Sequence, residues 1–113
     1  MLAKANRVVR ADDFRTTVRK GRRVSTRHAV VYLHARSFGE PTRFGFIVAK
    51  TVGNAVTRNL MRRRLRSVGR DILDQHSTGT DIVIRALPGS DEVSWATLHD
   101  EISQGIDRGV SKR

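Results

Sequence analysis

No cysteine occurs in the 113 residues. That excludes disulfides, thiolate zinc sites and a cysteine nucleophile, and it is compatible with a reducing compartment such as the cytoplasm. Long apolar runs are missing too. No stretch approaches the roughly 20 residues of a membrane-spanning helix, and the opening MLAKANRVVRADDF holds no apolar core long enough for a signal peptide. Aromatic residues are few (Phe14, Tyr32, Phe38, Phe44, Phe46 and Trp95), so any stacking on bases has few candidates. The signatures of self-contained catalysis are absent: there is no P-loop, no GxGxxG and no G-x-S-x-G. His28, His34, His76 and His99 are scattered, with no pair at metal-ligand spacing inside one expected element, so each is read as a surface or structural residue. Acids are scarce in the first part of the chain. Residues 1–70 hold 3 of the 11 Asp and Glu but 18 of the 22 Lys and Arg, and beyond residue 70 the acids outnumber the bases. The net charge of +11 therefore lies in the N-terminal part, which points to nucleic acid or another anionic surface.

What is present is most concentrated in KTVGNAVTRNLMRRRLRSVGR, Lys50 to Arg70, with seven basic residues and no acid. Gly53-Asn54 reads as a turn, and a long helical pattern follows. At 100° per residue, Met61, Leu65, Val68 and Ile72 form one narrow apolar stripe. Arg58, Arg62, Arg66 and Arg70 are each four apart and form a second stripe, with Asn59 and Arg63 beside it. Like charges at i,i+4 repel, so stability alone would favour interspersed glutamates. A polyanionic partner gives the row a reason, because the planar guanidinium fork binds two phosphate oxygens at once. A solvated helix face is the plainer reading of a charge run, but the missing acids and strict spacing weigh against it here. Binding to a lipid surface would call for Trp or Phe on the apolar stripe, which has neither.

Along the chain, 113 residues make one domain, 1–113, with a modest core. Residues 1–10 are basic and aperiodic and are expected to form a flexible arm that orders against a partner. Asp12 or Asp13 is expected to cap a short helix carrying Phe14 and Val18 on one face, stopped at Gly21. HAVVYLHAR reads as a strand over residues 29–35, and RFGFIVAK, Arg43 to Lys50, as a second, with Phe44, Phe46 and Val48 on one side. A short extended piece around Val52 is expected to pair. The basic helix spans about Val56 to Leu73. DIVIRAL, Asp81 to Leu87, is the most apolar strand and is expected to be central, with Arg85 its odd residue, either near an exposed end or reaching toward a ligand surface. Ser94 is expected to cap a last, acidic helix whose buried stripe is Trp95, Leu98, Ile102 and Ile106, facing away from any polyanion. The order α-β-β-(β)-α-β-α makes a small α/β sandwich, one sheet with helices packed on it.

The run K-x-V-G-N-A-V-x-R-N-x-x-R-R-x-L-R from Lys50 resembles the signature of the bacterial ribonuclease P protein component. The likeness extends to Asn6-Arg7, to Asp13-Phe14 with Gly21, to the strand bearing Tyr32, to RFGFIVAK, and to D-I-V-I-R-A-x-P at Asp81 to Pro88. It covers nearly the whole chain in order. The resemblance implies an α/β (α+β) two-layer sandwich with a mixed sheet of about four strands and a left-handed βαβ crossover. It also implies the function: the small basic protein subunit of a bacterial ribonucleoprotein endonuclease. In that enzyme a catalytic RNA performs magnesium-dependent hydrolysis, removing the 5′ leader from precursor tRNA. The partners implied are that RNA and precursor tRNA, in the cytoplasm, with no obligate protein partner, no membrane, and Mg2+ held mainly by the RNA. No catalytic or metal-binding residue is implied on the protein. The signature helix implies RNA contacts at Arg58, Asn59, Arg62, Arg63, Arg66 and Arg70. A cleft for the single-stranded leader implies Phe14, Val18, Val30, Tyr32 and Lys50, and Asn6, Arg7, Arg19 and Arg22 are further RNA-contact candidates. Phe14 and Tyr32 would be the stacking platforms. Val18 stands where many relatives carry a second aromatic, and Thr51 where a second Lys is common. Two other readings compete: a plain RNA-binding or ribosome-assembly protein sharing the sandwich, and a DNA- or membrane-surface-binding basic domain. The G-N-A-V-x-R-N spacing and the upstream DF helix separate the first reading from these.

Overall fold

The computed structural model describes residues 2–111. Its elements are helix α1 (Ala11–Lys20), strands β1 (Arg22–Ser25), β2 (Ala29–Ala35) and β3 (Arg43–Ile47), helix α2 (Ala55–Leu73), strand β4 (Thr80–Ala86) and helix α3 (Trp95–Ser111). Short 3-10 turns occupy Lys4–Asn6, Lys50–Val52 and Ser90–Glu92. The sheet runs β1-β2-β4-β3, antiparallel except for the parallel β3–β4 pair, which α2 connects. The expected element order, the four-stranded mixed sheet and the central β4 are all present.

Alternation along the strands sorts the sheet into two faces. Ala29, Val31, Leu33, Phe44, Ile82 and Ile84 point into the main core, where they meet Met61, Leu65, Val68 and Ile72 of α2 and Leu98, Ile102 and Ile106 of α3. Gly69 lets α2 settle closely on β3, since a Cβ there would lie 3.2 Å from Phe46 Cζ and 3.3 Å from Phe44. On the opposite face Val30, Tyr32 and Val83 form a smaller cluster with Phe14 and Val18 of α1 and with Ile47 and Leu87. Among the described residues, α1 is the one helix that contributes to this second cluster.

Several expectations need correction. The strand beyond β2, β3 and β4 is Arg22–Ser25, not the stretch around Val52, which curls into a 3-10 turn. A tight turn makes β1: Thr26 N–H donates to the Ala29 carbonyl at 2.8 Å, and Ala29 N–H donates to Thr26 Oγ1 at 3.1 Å. This closes a hairpin in which Val24 alone faces the core. β3 stops at Ile47 rather than Lys50. Arg10, not an aspartate, occupies the N-cap of α1, while Asp12 and Asp13 lie in its first turn and complement the helix dipole there. Residues 2–10 are no free arm. Leu2 and Val8 are 5% and 6% exposed, Arg7 bridges to Phe44, Val8 N–H donates to the Phe44 carbonyl at 2.8 Å, and Asn6 Nδ2 donates to the Thr42 carbonyl at 2.9 Å. Two apolar side chains and an unsatisfied strand edge were enough to seat this segment. Trp95 falls outside the buried stripe of α3 at 39% exposure. It is the first helical residue, one turn short of the core, and rests on the His99 ring at 5.0 Å. Ser94 does cap the helix, accepting from Thr97 N–H at 3.1 Å.

Three of the four histidines tie α3 to the rest of the fold through carboxylates. His28 Nδ1 lies 2.7 Å from Glu101, His99 Nε2 lies 2.5 Å from Asp71, and His76 Nε2 lies 3.0 Å from Asp107. Burial works to raise the Glu101 carboxyl, but the His28 side-chain and backbone donors outweigh it and hold the group below the usual glutamate range.

Candidate nucleic-acid interface

α2 begins where the Asn54 side chain accepts from Thr57 N–H at 2.9 Å, fixing the helix start just after Gly53. From that start the 3.6-residue period sets what each side chain meets. Met61, Leu65, Val68 and Ile72 are buried, while Asn59, Arg63, Arg66 and Arg70 are exposed and Arg58 and Arg62 half-buried. Arg62 Nη1 donates to Asn59 Oδ1 at 3.0 Å, which steadies that guanidinium on the surface. Arg63, Arg66 and Arg70 border one shallow basic depression with Ser67. Arg64 points the other way, toward the carbonyls of Asp91 and Val93 at 3.3 and 3.5 Å, and so serves the fold rather than this face. The six signature residues thus share one side of α2, and the helix carries no acid before Asp71.

The second candidate surface lies on the α1 face of the sheet. The rows Arg23–Tyr32–Val83–Gly45 and Ser25–Val30–Arg85–Ile47 cross it side by side. Phe14 and Val18 cover the first row. The structure brings Phe14, Val18, Val30 and Tyr32 together, but not as two free stacking platforms. Val30 and Tyr32 are 3% and 4% exposed and form the floor. The Tyr32 ring is roofed by the Arg85 guanidinium, 5.7 Å from its centroid, in cation–π contact. Tyr32 as an open platform is therefore corrected: α1 and Arg85 take the area a base would need. Phe14 stays half-buried, and Lys50 is exposed in the turn three residues beyond Ile47. Arg19 and Arg22 are exposed at the junction of α1 and β1, and Arg7 is exposed along β3. Asn6 spends one amide donor on the Thr42 carbonyl.

Arg85, expected either near an exposed end or reaching toward a ligand surface, lies on this face, together with Ile47 and Leu87, which the sequence had not singled out. The signal was an arginine inside the otherwise apolar DIVIRAL run. At the other end of the same face Arg43 grips Asp81 with two hydrogen bonds, Nε to Oδ1 at 2.8 Å and Nη2 to Oδ2 at 2.6 Å, and reaches Asp13 of α1 at 3.4 Å. The Asp81 hydrogen bond, against the opposing effect of burial, raises Arg43 above its ordinary value. Asp81 is 7% exposed, so this pair anchors α1 to the sheet from within. Among the described residues, the acids of this region, Asp13 and Asp81, both face Arg43.

Comparison with known proteins shows the family and the fold. The Ribonuclease P family profile matches residues 2–109. The chain is 51% identical to the ribonuclease P protein component of Clavibacter michiganensis subsp. michiganensis, with 97% of each chain covered. It is 44% identical to that of Mycobacterium bovis, covering 97% of this chain and 94% of the relative. Among solved structures, the Staphylococcus aureus RNase P protein superposes with a TM-score of 0.80 at 27% identity, over 92% of this chain and 94% of the other.

Proposed function

The chain belongs to the ribonuclease P protein family, the protein subunit of an endoribonuclease, and we propose that two separate surfaces of it hold two RNAs. The exposed side of α2, with Arg58, Asn59, Arg62, Arg63, Arg66 and Arg70, docks on the catalytic RNA. The α1 face of the sheet, with Phe14, Val18 and Lys50 around a floor of Val30 and Tyr32, holds the single-stranded 5′ leader of precursor tRNA. The observation that carries this reading is the division of α2: every residue of the apolar stripe is buried, and the opposite side is arginine with no carboxylate before Asp71. Exposed arginines such as Arg63, Arg66 and Arg70, which repel one another along the helix, find their compensation in phosphate.

Arg85 enters the leader surface as a cation already aimed across an aromatic ring. It meets a phosphate or a base from above while Tyr32 supports it from below. Lys50, Arg19 and Arg22 supply further charge along the groove, and Asn6 and Arg7 flank α2 at the sheet edge. Holding the leader raises the affinity for precursor over mature tRNA. Removal of the leader to give the mature tRNA 5′ end remains hydrolysis by the RNA with Mg2+. The carboxylates of the leader face do not suit that ion: Asp81 and Asp13 are both turned toward Arg43. The metal is therefore held by RNA oxygens. Among the described residues no helix is long and apolar enough to cross a membrane, and the cytoplasm, where tRNA precursors are processed, is the proposed location.

The test is cleavage of precursor tRNA at low magnesium by the matching catalytic RNA, with and without this protein. A large gain in leader removal, with none from protein alone, is expected. Tight binding to structured RNA with no gain would reduce the protein to a plain RNA binder.

A further inference from the structure

The free edge of β3 carries a hollow where the α2 side and the α1 face meet, lined in part by Phe44, Gly45 and Phe46, which belong to neither surface. β3 is the outer strand of the sheet, and beyond it the N-terminal segment pairs only at Arg7, opposite Phe44. After Val8 donates to the Phe44 carbonyl the chain turns away into α1. Backbone groups of a strand alternate sides with a period of two. The N–H and C=O of Phe46 therefore face the same edge as those of Phe44, and among the described residues no strand pairs with them. At this point a hollow of about 270 Å³ opens. It wraps around the edge at Gly45, with Phe14 on one side of the sheet and Phe46 on the other. The Phe14 ring lies so close that a Cβ on Gly45 would meet its Cε1 at 2.5 Å. The Phe46 ring is half-buried and runs nearly parallel to Phe44, centroids 6.3 Å apart at 10°. Arg7, Arg62 and Arg66 stand at the rim, and no acidic side chain lines the space.

We propose that this hollow is a binding site for one unpaired nucleotide of RNA. Its base extends the Phe44–Phe46 stack, its hydrogen-bonding edge meets the bare N–H and C=O of Phe46, and its phosphate lies between Arg62 and Arg66. Each part answers a need of such a nucleotide. Aromatic rings hold any base by its face, and single-stranded RNA is read along exposed base edges. A donor and an acceptor on one residue match a base edge offering an acceptor beside a donor. Two guanidinium groups one helical turn apart can share a phosphate. The volume is below the roughly 300–1,000 Å³ of a pocket for a whole small molecule, so it suits one base rather than a stacked run. An added peptide strand would use the same edge, but with the N-terminal segment already at Phe44 only one residue of edge is open, and three arginines without an acid favour phosphate. The proposal rests on α2 being an RNA-binding face and adds to it a specific subsite.

The experiment uses the full protein with its catalytic RNA. Binding is measured across salt concentrations, and unpaired bases are probed with dimethyl sulfate and a carbodiimide. The variants are Phe46→Leu, Phe46→Tyr and, as reference, Arg63→Ala. Wild type is expected to protect one unpaired nucleotide. Phe46→Leu, which keeps apolar contact with Phe44 and Gly69, is expected to re-expose it and to weaken binding roughly tenfold with an unchanged salt slope, because stacking carries no charge. Phe46→Tyr keeps the ring and is expected to behave as wild type. Two results overturn the subsite and leave the α2 face standing: Phe46→Leu binding and protecting like wild type while Arg63→Ala lowers the slope, or Phe46→Tyr losing as much as Phe46→Leu. An occupant other than RNA would leave every base as reactive as in free RNA, which also overturns it. If Arg63→Ala leaves the slope unchanged, the α2 reading itself fails.

Discussion

Removing two arginines from the middle of α2 should make the protein more stable and a weaker RNA binder at once. Arg63 and Arg66 are exposed, and neither touches the buried stripe of Met61, Leu65, Val68 and Ile72. In the Arg63→Ala, Arg66→Ala double variant the like-charge pairs Arg62–Arg66, Arg63–Arg66 and Arg66–Arg70 disappear. Each such pair at i,i+3 or i,i+4 costs about 0.2–0.5 kcal/mol, and alanine is a better helix former than arginine. The denaturation midpoint should therefore hold or rise, with a gain on the order of 0.6–1.5 kcal/mol at low salt. Binding to the catalytic RNA should move the other way. Each lost phosphate contact removes about 0.7–0.9 from the slope of log K against log salt, so the slope should fall by about 1.4–1.8. Between 50 and 200 mM salt, wild type should then lose about tenfold more affinity than the variant. A salt titration by filter binding or fluorescence anisotropy measures this directly. An unchanged slope, with the fold intact, would mean that these guanidinium groups do not meet phosphate, and the assignment of α2 would fail.

Three further outcomes are expected. Lys50→Ala should weaken binding of leader-bearing precursor and lower its salt slope by about 0.7, while mature tRNA binds as before; equal losses for both would remove Lys50 from the leader groove. Asp81→Ala should cost about 3 kcal/mol in denaturant unfolding, since it leaves Arg43 half-buried with only the longer contact to Asp13 and takes a partner from Arg36; a loss below about 1 kcal/mol would show that the pair does not anchor this end of the sheet. Glu101 sits below its ordinary value of 4.5 in the folded state. Its contribution is therefore fully present above that value and is lost as pH falls through the lower folded one. Glu101→Gln should flatten the decline of stability in acid below about pH 4.5, and an acid unfolding curve as steep as wild type would place the acid sensitivity elsewhere.

α2 was legible because its information is local. A stripe at spacings of 4, 3 and 4 and a row of arginines each four apart remain on opposite sides whatever the rest of the chain does, and Gly53-Asn54 marks the start within one residue. The apolar DIVIRAL run announced a central strand for the same reason. β1 was hidden because four residues with one apolar side chain carry no period; it exists because the Thr26–Ala29 turn folds it onto β2. Trp95 is exposed because it is the first helical residue after the Ser94 cap, one turn short of the core that begins at Leu98. Residues 2–10 looked like a loose arm because the bonds that seat them, such as Asn6 to Thr42 and Val8 to Phe44, span 36 residues each.

What the sequence determined by itself is the family and the arginine-rich side of α2. Charge sign, the absence of acids and helical spacing are properties of neighbouring residues, and together they place an arginine face opposite an apolar one. What only the tertiary structure decided is which groups remain available. Tyr32 became a floor because α1 and Arg85 lie over it, Arg64 turned to the carbonyls of Asp91 and Val93, and Asp81 closed on Arg43. The bare edge at Phe46 exists only because the N-terminal segment stops pairing at Phe44. Each of these depends on contacts between different elements of the chain, and such contacts are set by how the layers pack, which no local pattern encodes.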